Sequence, residues 1–296
     1  MTPTQRAYLE LHIAVFLFGF TAILGKIISV PETVLVWWRV LFTTISLLFL
    51  VNIGQLVKRM PRKLIAQFLG IGVLVAIHWV TFFGAAKYAN VSVCLICMAT
   101  TSFFTSFLEP FILKEKIKWF EIALGLLIIP GMALVVQSTE SSMWIGIVMG
   151  LISAFLASLF SILNKKLIHE TNPIEITFLE IGGALGFLTL IMPIYLYFDT
   201  GVQFMPVGLD WVYLIVLALV CTTLAYVISL KALKYISAFA ANLTVNLEPV
   251  YGILLAIILL GENKELDPAF YLGVAVILGA VFAYPLLRGR FAPSKS

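Results

Sequence analysis

Apolar residues run through this chain in long blocks rather than in alternation. Ten blocks stand near 8–29, 33–53, 63–88, 92–113, 119–137, 144–167, 174–198, 210–235, 238–261 and 268–288, with short polar connections between them. A block of about 20 apolar residues matches the roughly 30 Å of a bilayer's hydrocarbon core when it is helical. None is short or alternating enough for the strands of a transmembrane barrel, so the pattern predicts ten membrane-crossing helices. The first block has neither a basic start nor a small-residue cleavage site, which makes it a retained helix rather than a signal peptide.

Polar positions inside the blocks are few, and their spacing carries information. The stretch Thr101-Ser-Phe-Phe-Thr-Ser-Phe-Leu-Glu-Pro110 holds four hydroxyls and a carboxylate. On a helical wheel with Thr101 at zero, Thr105 falls near 40°, Glu109 near 80°, Ser102 near 100° and Ser106 near 140°. Phe103, Phe104, Phe107 and Leu108 occupy the opposite side. In lipid such a wheel turns its hydroxyls toward the bundle interior and its phenylalanines toward acyl chains or neighbouring helices. Hydroxyls alone could bond back to their own helix carbonyls, but a carboxylate needs a partner or a watery cavity. Glu109 lies near one end of its helix, within snorkelling reach of the interface.

Glu248 lies about ten residues from either end of its block, and Pro249 follows it. Proline removes a backbone hydrogen bond, so the sequence predicts a kink whose freed carbonyl sits beside a mid-membrane carboxylate. Asn242 and Asn246 share another face, about 160° from Glu248 on a continuous helix, so one of the two sets is expected to be helix glue. His78 could be a protonatable gate or a neutral histidine bonded between helices. Arg39, after Trp37-Trp38, could meet a substrate carboxylate bidentately or join those rings in an interfacial anchor. Glu180 lies two turns into its own helix, before Gly182-Gly183, which together with Gly125, Gly131, Gly273 and Gly279 are read as sites of close helix approach.

Composition agrees with the pattern: 61% of residues are hydrophobic and 11% charged, with a mean hydropathy of +1.07. With the N-terminus inside, the inner connections carry Arg6, Lys58, Arg59, Arg62, Lys63, Lys114, Lys116, Lys118, Lys165, Lys166, Lys231, Lys234, Arg288, Arg290 and Lys295. Lys26, Arg39, Lys87 and Lys264 fall toward the other side, so both termini are expected to be cytoplasmic. The net charge of +4 therefore reflects orientation, and no basic stripe with interleaved aromatics points to nucleic acid. Cys94-Leu-Ile-Cys97 starts an apolar helix with no partner cluster, so neither metal nor redox use is expected. There is no Walker loop, no His-Glu-x-x-His and no Gly-x-Ser-x-Gly, and the three histidines are far apart, so no enzyme and no cofactor is expected.

Laid on itself with a shift of 147, the chain puts Lys87-Tyr88 on Lys234-Tyr235, Trp79 on Tyr226 and Glu115 on Glu262. Slightly different shifts put Gly125 and Gly131 on Gly273 and Gly279, Lys26 on Lys165 and, roughly, Arg39 on Glu180. A five-helix unit thus occurs twice, over 1–140 and 141–296; five is odd, so the copies are inverted in the membrane. Inverted repeats are how many carriers build alternating gates around one central site.

The ten predicted helices in two copies, with Leu247-Glu-Pro-Val-Tyr251 followed by Leu259-Leu-Gly-Glu262, resemble the EamA-type members of the drug/metabolite transporter superfamily. The first copy carries Lys114-Glu115 at the matching end, but Ser102 stands where Pro249 does, so its motif is degenerate. The resemblance implies an all-α integral protein of the cell (inner) membrane that exports small metabolites, amino acids or related compounds foremost, by alternating access. Carriage of drugs, sugars or nucleotide-linked metabolites is the alternative; a passive channel or an intramembrane enzyme is a remote one. Helices one to four and six to nine would line the cavity, with five and ten bracing the periphery. The expected substrate-binding or proton-coupling residues are Glu248, Glu109, His78, Arg39, Glu180, Trp79, Tyr226, Thr101, Ser102, Thr105 and Asn246. The expected partners are the lipid bilayer, a small-molecule substrate and protons as a candidate coupling ion, with a monomer favoured because ten helices can enclose a cavity alone.

Overall fold

The computed structural model describes residues 1–137, 140–261 and 267–291, and among these all regular structure is helical. The first helix, α1 (Pro3–Ile27), starts from a capping box in which the Thr2 hydroxyl accepts from the Gln5 amide and the Gln5 side chain accepts from the Thr2 amide. Next come α2 (Glu32–Leu48), α3 (Ile53–Arg59), α4 (Arg62–Tyr88), α5 (Val91–Ala99), α6 (Thr101–Leu113) and α7 (Trp119–Gln137). The second half holds α8 (Trp144–Leu167), α9 (Pro173–Phe198), α10 (Asp210–Ala218), a π-helical turn at Leu219–Leu224, α11 (Ala225–Leu233), α12 (Ala238–Val245), α13 (Glu248–Leu260) and α14 (Pro268–Phe291).

Among the described residues, seven continuous or nearly continuous rods are long and apolar enough to cross a membrane: α1, α4, Val91–Leu113, Ser141–Leu167, α9, Asp210–Leu233 and Ala238–Leu260. An eighth arises if α2 and α3 count as one span, but they meet at 89°. The second apolar block therefore ends at Leu48, short of its expected end at 53. Asn52 starts a new helix by accepting from the Gln55 amide, and α3 then buries Leu56 while leaving Lys58 and Arg59 exposed. Two shorter apolar stretches, Trp119–Leu134 and Pro268–Ala280, belong to α7 and α14, which pack on each other. Large apolar side chains cover the outside, as a lipid solvent requires: Leu190 is 77% exposed and Phe198 82%.

The internal repeat is a repeat of helix boundaries. A shift of 147 carries the start of α5 onto that of α12 and both ends of α6 onto those of α13. It carries the N-cap Asn90 onto Ser237, and the left-handed cap Lys114 (φ 56°) onto Gly261 (φ 71°). Glycine takes that conformation without strain and lysine does not, which locates the degeneracy of the first copy. Lys26 and Lys165 play matching parts: one donates to the Ala86 carbonyl at 3.0 Å, the other to the Leu233 carbonyl, its repeat position, at 2.7 Å. Glu262 lies outside the described residues.

The two copies interleave. Helix α4 of the first lies against α8 and α9 of the second, and α1 lies against α11 and α13. Close approach has small residues behind it, as expected. A side chain at Gly183 would begin 2.4 Å from the Leu69 carbonyl oxygen, and one at Gly125 would begin 2.9 Å from the Ser106 hydroxyl. Gly182 and Gly279 face open space and permit no such contact.

Candidate functional site

Two rods are interrupted at mid-length, and the interruptions are repeat-related. The first falls at Thr100, between α5 and α6; the second falls at Asn246-Leu247, between α12 and α13. Backbone bonds tighten there, with Thr100 N–H reaching the Cys97 carbonyl and Leu247 N–H the Thr244 carbonyl. Hydroxyls take up carbonyls near the first break: Thr100 donates to Cys97 at 2.7 Å, Thr101 to Met98 at 2.6 Å and Ser102 to Ala99 at 3.3 Å. Pro249 does not kink a continuous helix, contrary to the sequence expectation. It sits in the first turn of α13, where its missing N–H would have no helical partner anyway. Glu248 is therefore the opening residue of a half-helix, on the positive end of its dipole, and its repeat counterpart Thr101 opens the other half-helix.

Glu248 and Thr101 both line a cavity of about 110 Å³ between the copies. Its walls are Phe18 and Thr21 of α1, Arg39 of α2, His78, Trp79 and Phe82 of α4, Ser161 and Asn164 of α8, Tyr226 and Leu230 of α11, and Asn242 of α12. Helix α9 contributes no lining side chain, a departure from the expectation that the seventh span would. Because the rod breaks after Asn242, the wheel drawn through both residues does not hold. Asn242 and Glu248 both face the cavity and Asn246 does not, so the three do not all point into it, and it is the two asparagines, expected to share a face, that divide.

Arg39 is 1% exposed, so it belongs to the interior and not to an interfacial anchor. The anchoring groups are its neighbours: Trp37 donates to the Thr189 hydroxyl and Trp38 to the Phe204 carbonyl. The Arg39 guanidinium lies 3.8 Å from the Trp79 ring centroid, and its Nε donates to the Thr222 hydroxyl at 2.7 Å. Its Nη1 has no hydrogen-bond partner among the described residues. Thr222 reaches it because the π turn shifts the backbone register, with the Thr222 and Thr223 hydroxyls donating five residues back, to Leu217 and Ala218. Glu248 is 5% exposed and accepts no hydrogen bond among the described residues, whose ion pairs lie elsewhere. The cavity thus presents one cation and one carboxylate that form no ion pair with each other among the described residues.

Trp79 and Tyr226, equivalent in the repeat, meet edge to face with centroids 6.2 Å apart. Each holds an ionisable residue from roughly equivalent positions: Trp79 stacks on Arg39, and the Tyr226 hydroxyl donates to Glu180 Oε2 at 2.6 Å. Arg39 and Glu180 do not pair directly, but the two aromatics join them. His78 is a bridge between helices. Its Nδ1 lies 3.0 Å from the Ser153 carbonyl oxygen, which only accepts, so Nδ1 carries the hydrogen, and the Ser153 hydroxyl lies 2.8 Å from the same nitrogen. The Ser153 hydroxyl donates in return to the His78 carbonyl at 3.0 Å.

The rest of the hydroxyl stripe lies outside the cavity: Ser102, Thr105 and Glu109 lie against α12, and Ser106 faces Gly125 of α7. Asn246 Nδ2 donates to the Ser102 hydroxyl at 2.8 Å, and Asn242 Nδ2 to the Thr105 hydroxyl at 2.8 Å. Glu109 accepts from the amides of Ala238 and Phe239 at 2.9 and 2.8 Å, capping the first turn of α12. The wheel is right about which face is buried; the partner of that face is a helix. Cys94 and Cys97 donate to different carbonyls, those of Phe82 and Ile147. The sequence reading missed Asn164 and Thr222. Asn164 was hidden by the neighbouring lysines that mark a helix end, and the only sign of Thr222 is two consecutive threonines in an apolar run.

The EamA-like transporter family model matches residues 5–137 and again residues 144–284. The chain is 24% identical over 290 residues to the uncharacterized transporter YxxF of Bacillus subtilis (strain 168), covering 95% of this chain and 90% of the relative. It is 24% identical over 291 residues to the uncharacterized transporter YetK of the same organism, covering 93% and 86%. A crystal structure shares the fold with a TM-score of 0.70 at 17% identity, covering 97% of this chain and 99% of that one. One family pattern met twice, over nearly the whole of a chain whose copies interleave around a cavity, settles the assignment: this integral protein of the cell membrane belongs to the EamA-like transporter family, and it is a transporter, not an enzyme.

Proposed function

We propose that the chain is an alternating-access exporter of small zwitterionic metabolites, amino acids foremost, bound between Arg39 and Glu248. The observation that carries this reading is the mismatched pair in the cavity: a guanidinium with an unpartnered Nη1 and a carboxylate with no donor. Burying either charge alone is costly, and a ligand carrying both opposite charges relieves both penalties at once. The guanidinium takes the carboxylate of the ligand, Glu248 its ammonium, and the Trp79 and Tyr226 rings its apolar part. Thr101, the repeat counterpart of Glu248, offers a hydroxyl from the facing half-helix. Phosphate-bearing substrates fit less well, since Arg39 is the one arginine or lysine lining the described cavity.

Around this site the reading places ten spans in two inverted copies, 1–140 and 141–296, with both termini cytoplasmic. Supporting it are the repeated helix boundaries and the concentration of lysine and arginine in one set of connections. The packing of α7 on α14 suits a peripheral brace. Enclosure of the cavity within one chain suits a monomer. In proteoliposomes the purified protein is expected to move radiolabelled leucine, and Glu248→Gln to abolish that movement. Unchanged leucine flux in Glu248→Gln would remove Glu248 from the site.

A further inference from the structure

We infer that Glu180 is the proton-carrying group of the transport cycle, held one side chain behind the cavity and linked to it by Tyr226 and Asn164. Glu180 is 0% exposed and does not line the cavity, whereas Tyr226 and Asn164 do. Its Oε2 accepts twice, from the Tyr226 hydroxyl at 2.6 Å and from Asn164 Nδ2 at 3.3 Å. Asn164 Nδ2 also donates to the Tyr226 oxygen at 3.3 Å, which closes a triangle. Oε1 of Glu180 and Oδ1 of Asn164 are buried with no hydrogen-bond partner among the described residues.

No neighbouring element supplies a counter-ion. On α2, Arg39 is engaged by Thr222 and Trp79; on α4, His78 turns its Nδ1 to Ser153. On α8, Lys165 donates to the Leu233 carbonyl, and on α11, Lys231 pairs with Glu10. An ionised Glu180 would therefore carry an uncompensated charge in a dry interior, at a large desolvation penalty. The neutral acid avoids that penalty, keeps both donors on Oε2 and places its hydrogen on Oε1.

Proton exchange then needs only water at Oε1. When the cavity opens to one side, the O–H bond at Oε1 breaks toward water. Its electron pair stays on the carboxylate, where two donors already wait. Opening to the other side returns a proton from that compartment, so one proton crosses per cycle. Tyr226 couples this site to the substrate, because its ring touches Trp79, on which Arg39 stacks. A ligand that draws Arg39 or the Tyr226 hydroxyl into the cavity loosens the hold on Oε2 and changes the affinity of Oε1 for its proton.

The inference rests on the carrier reading but not on the amino-acid assignment, and the test separates the two. Without ligand, pH-difference infrared spectra of reconstituted wild type, Glu180→Gln, Glu248→Gln and Tyr226→Phe report protonated carboxyl groups directly. A carboxylic-acid band should be lost in Glu180→Gln, survive in Glu248→Gln and shift in frequency in Tyr226→Phe. The last variant keeps the test open if Glu180→Gln does not fold. In proteoliposomes, the ratio of pH-gradient-driven leucine uptake to leucine exchange at equal pH should fall about tenfold in Glu180→Gln. An unchanged band set in Glu180→Gln, or no band shift in Tyr226→Phe, overturns the proton site. An unchanged ratio overturns its role in coupling. Wild-type vesicles that carry no leucine would instead fail the amino-acid assignment, while the infrared result still decides Glu180.

Discussion

Two helix crossings that the repeat makes equivalent, α6 on α12 and α13 on α5, are built from opposite chemistry. At the first, Ser102 meets Asn246, Thr105 meets Asn242, and Glu109 caps the start of α12. A shift of 147 turns these pairs into Pro249 with Ala99, Gly252 with Leu95, and Ala256 with Val91. The apolar crossing is held by fit: a side chain at Gly252 would begin 2.1 Å from Leu95 Cδ1. The boundaries of the four half-helices nevertheless coincide under that shift, apart from a difference of one residue between the ends of α5 and α12. Lipid gives apolar helices no hydrophobic reason to associate, so a crossing is secured by interhelical hydrogen bonds or by close packing. This molecule uses one method on each side of its cavity. Backbone repetition therefore constrains where helices start and stop, and leaves their adhesion free to diverge.

The sharpest way to break this comparison is at Glu109. Glu109→Ala leaves two buried amides of α12 without acceptors and should destabilise the detergent-purified protein by about 3 kcal/mol, read as a lowered thermal midpoint. Glu109→Gln keeps one acceptor and should fall in between. An unchanged midpoint in Glu109→Ala would mean that the polar crossing is not held by its bonds.

Gly252→Ala tests the other side. The new methyl must displace Leu95, with an expected loss of about 1–2 kcal/mol. Adding Leu95→Ala should recover part of that loss if fit is what holds α13 to α5, and additive losses would argue otherwise. The smallest effect belongs to a single bond within the polar crossing. A double-mutant cycle of Thr105→Val and Asn242→Leu should return a coupling near 0.6 kcal/mol, the average for such bonds in a membrane bundle. Because Thr105 also donates to Ser158 at 2.9 Å, Ser158→Ala provides the background that isolates the Asn242 term.

Much of this was readable before any coordinates. The polar stripe from Thr101 to Glu109 is buried as its wheel requires, and the phenylalanines opposite are partly exposed. The repeat correctly matched Trp79 with Tyr226, which turn out to touch. The breaks at Thr100 and Asn246-Leu247 were not foreseen, since Thr100 and Leu247 are ordinary helix residues by letter and Pro249 drew the prediction three residues too far along. The break moves Glu248 from the middle of a helix to the start of one, on the cavity that Asn242 also lines.

The sequence by itself determined that the chain crosses a membrane as apolar helices and which face of the Thr101–Glu109 stretch is buried, because those depend on blocks of about 20 apolar residues and on spacing within one helix. Only the tertiary structure decided what each buried polar group meets. Ser102 and Asn246 are 144 residues apart and Arg39 and Thr222 are 183 apart, distances at which no local pattern selects one partner over another. Glu109 and Glu248 look alike in letters, each followed by proline. One caps a helix and the other faces a cavity, because burial must be satisfied by whatever the packing brings near.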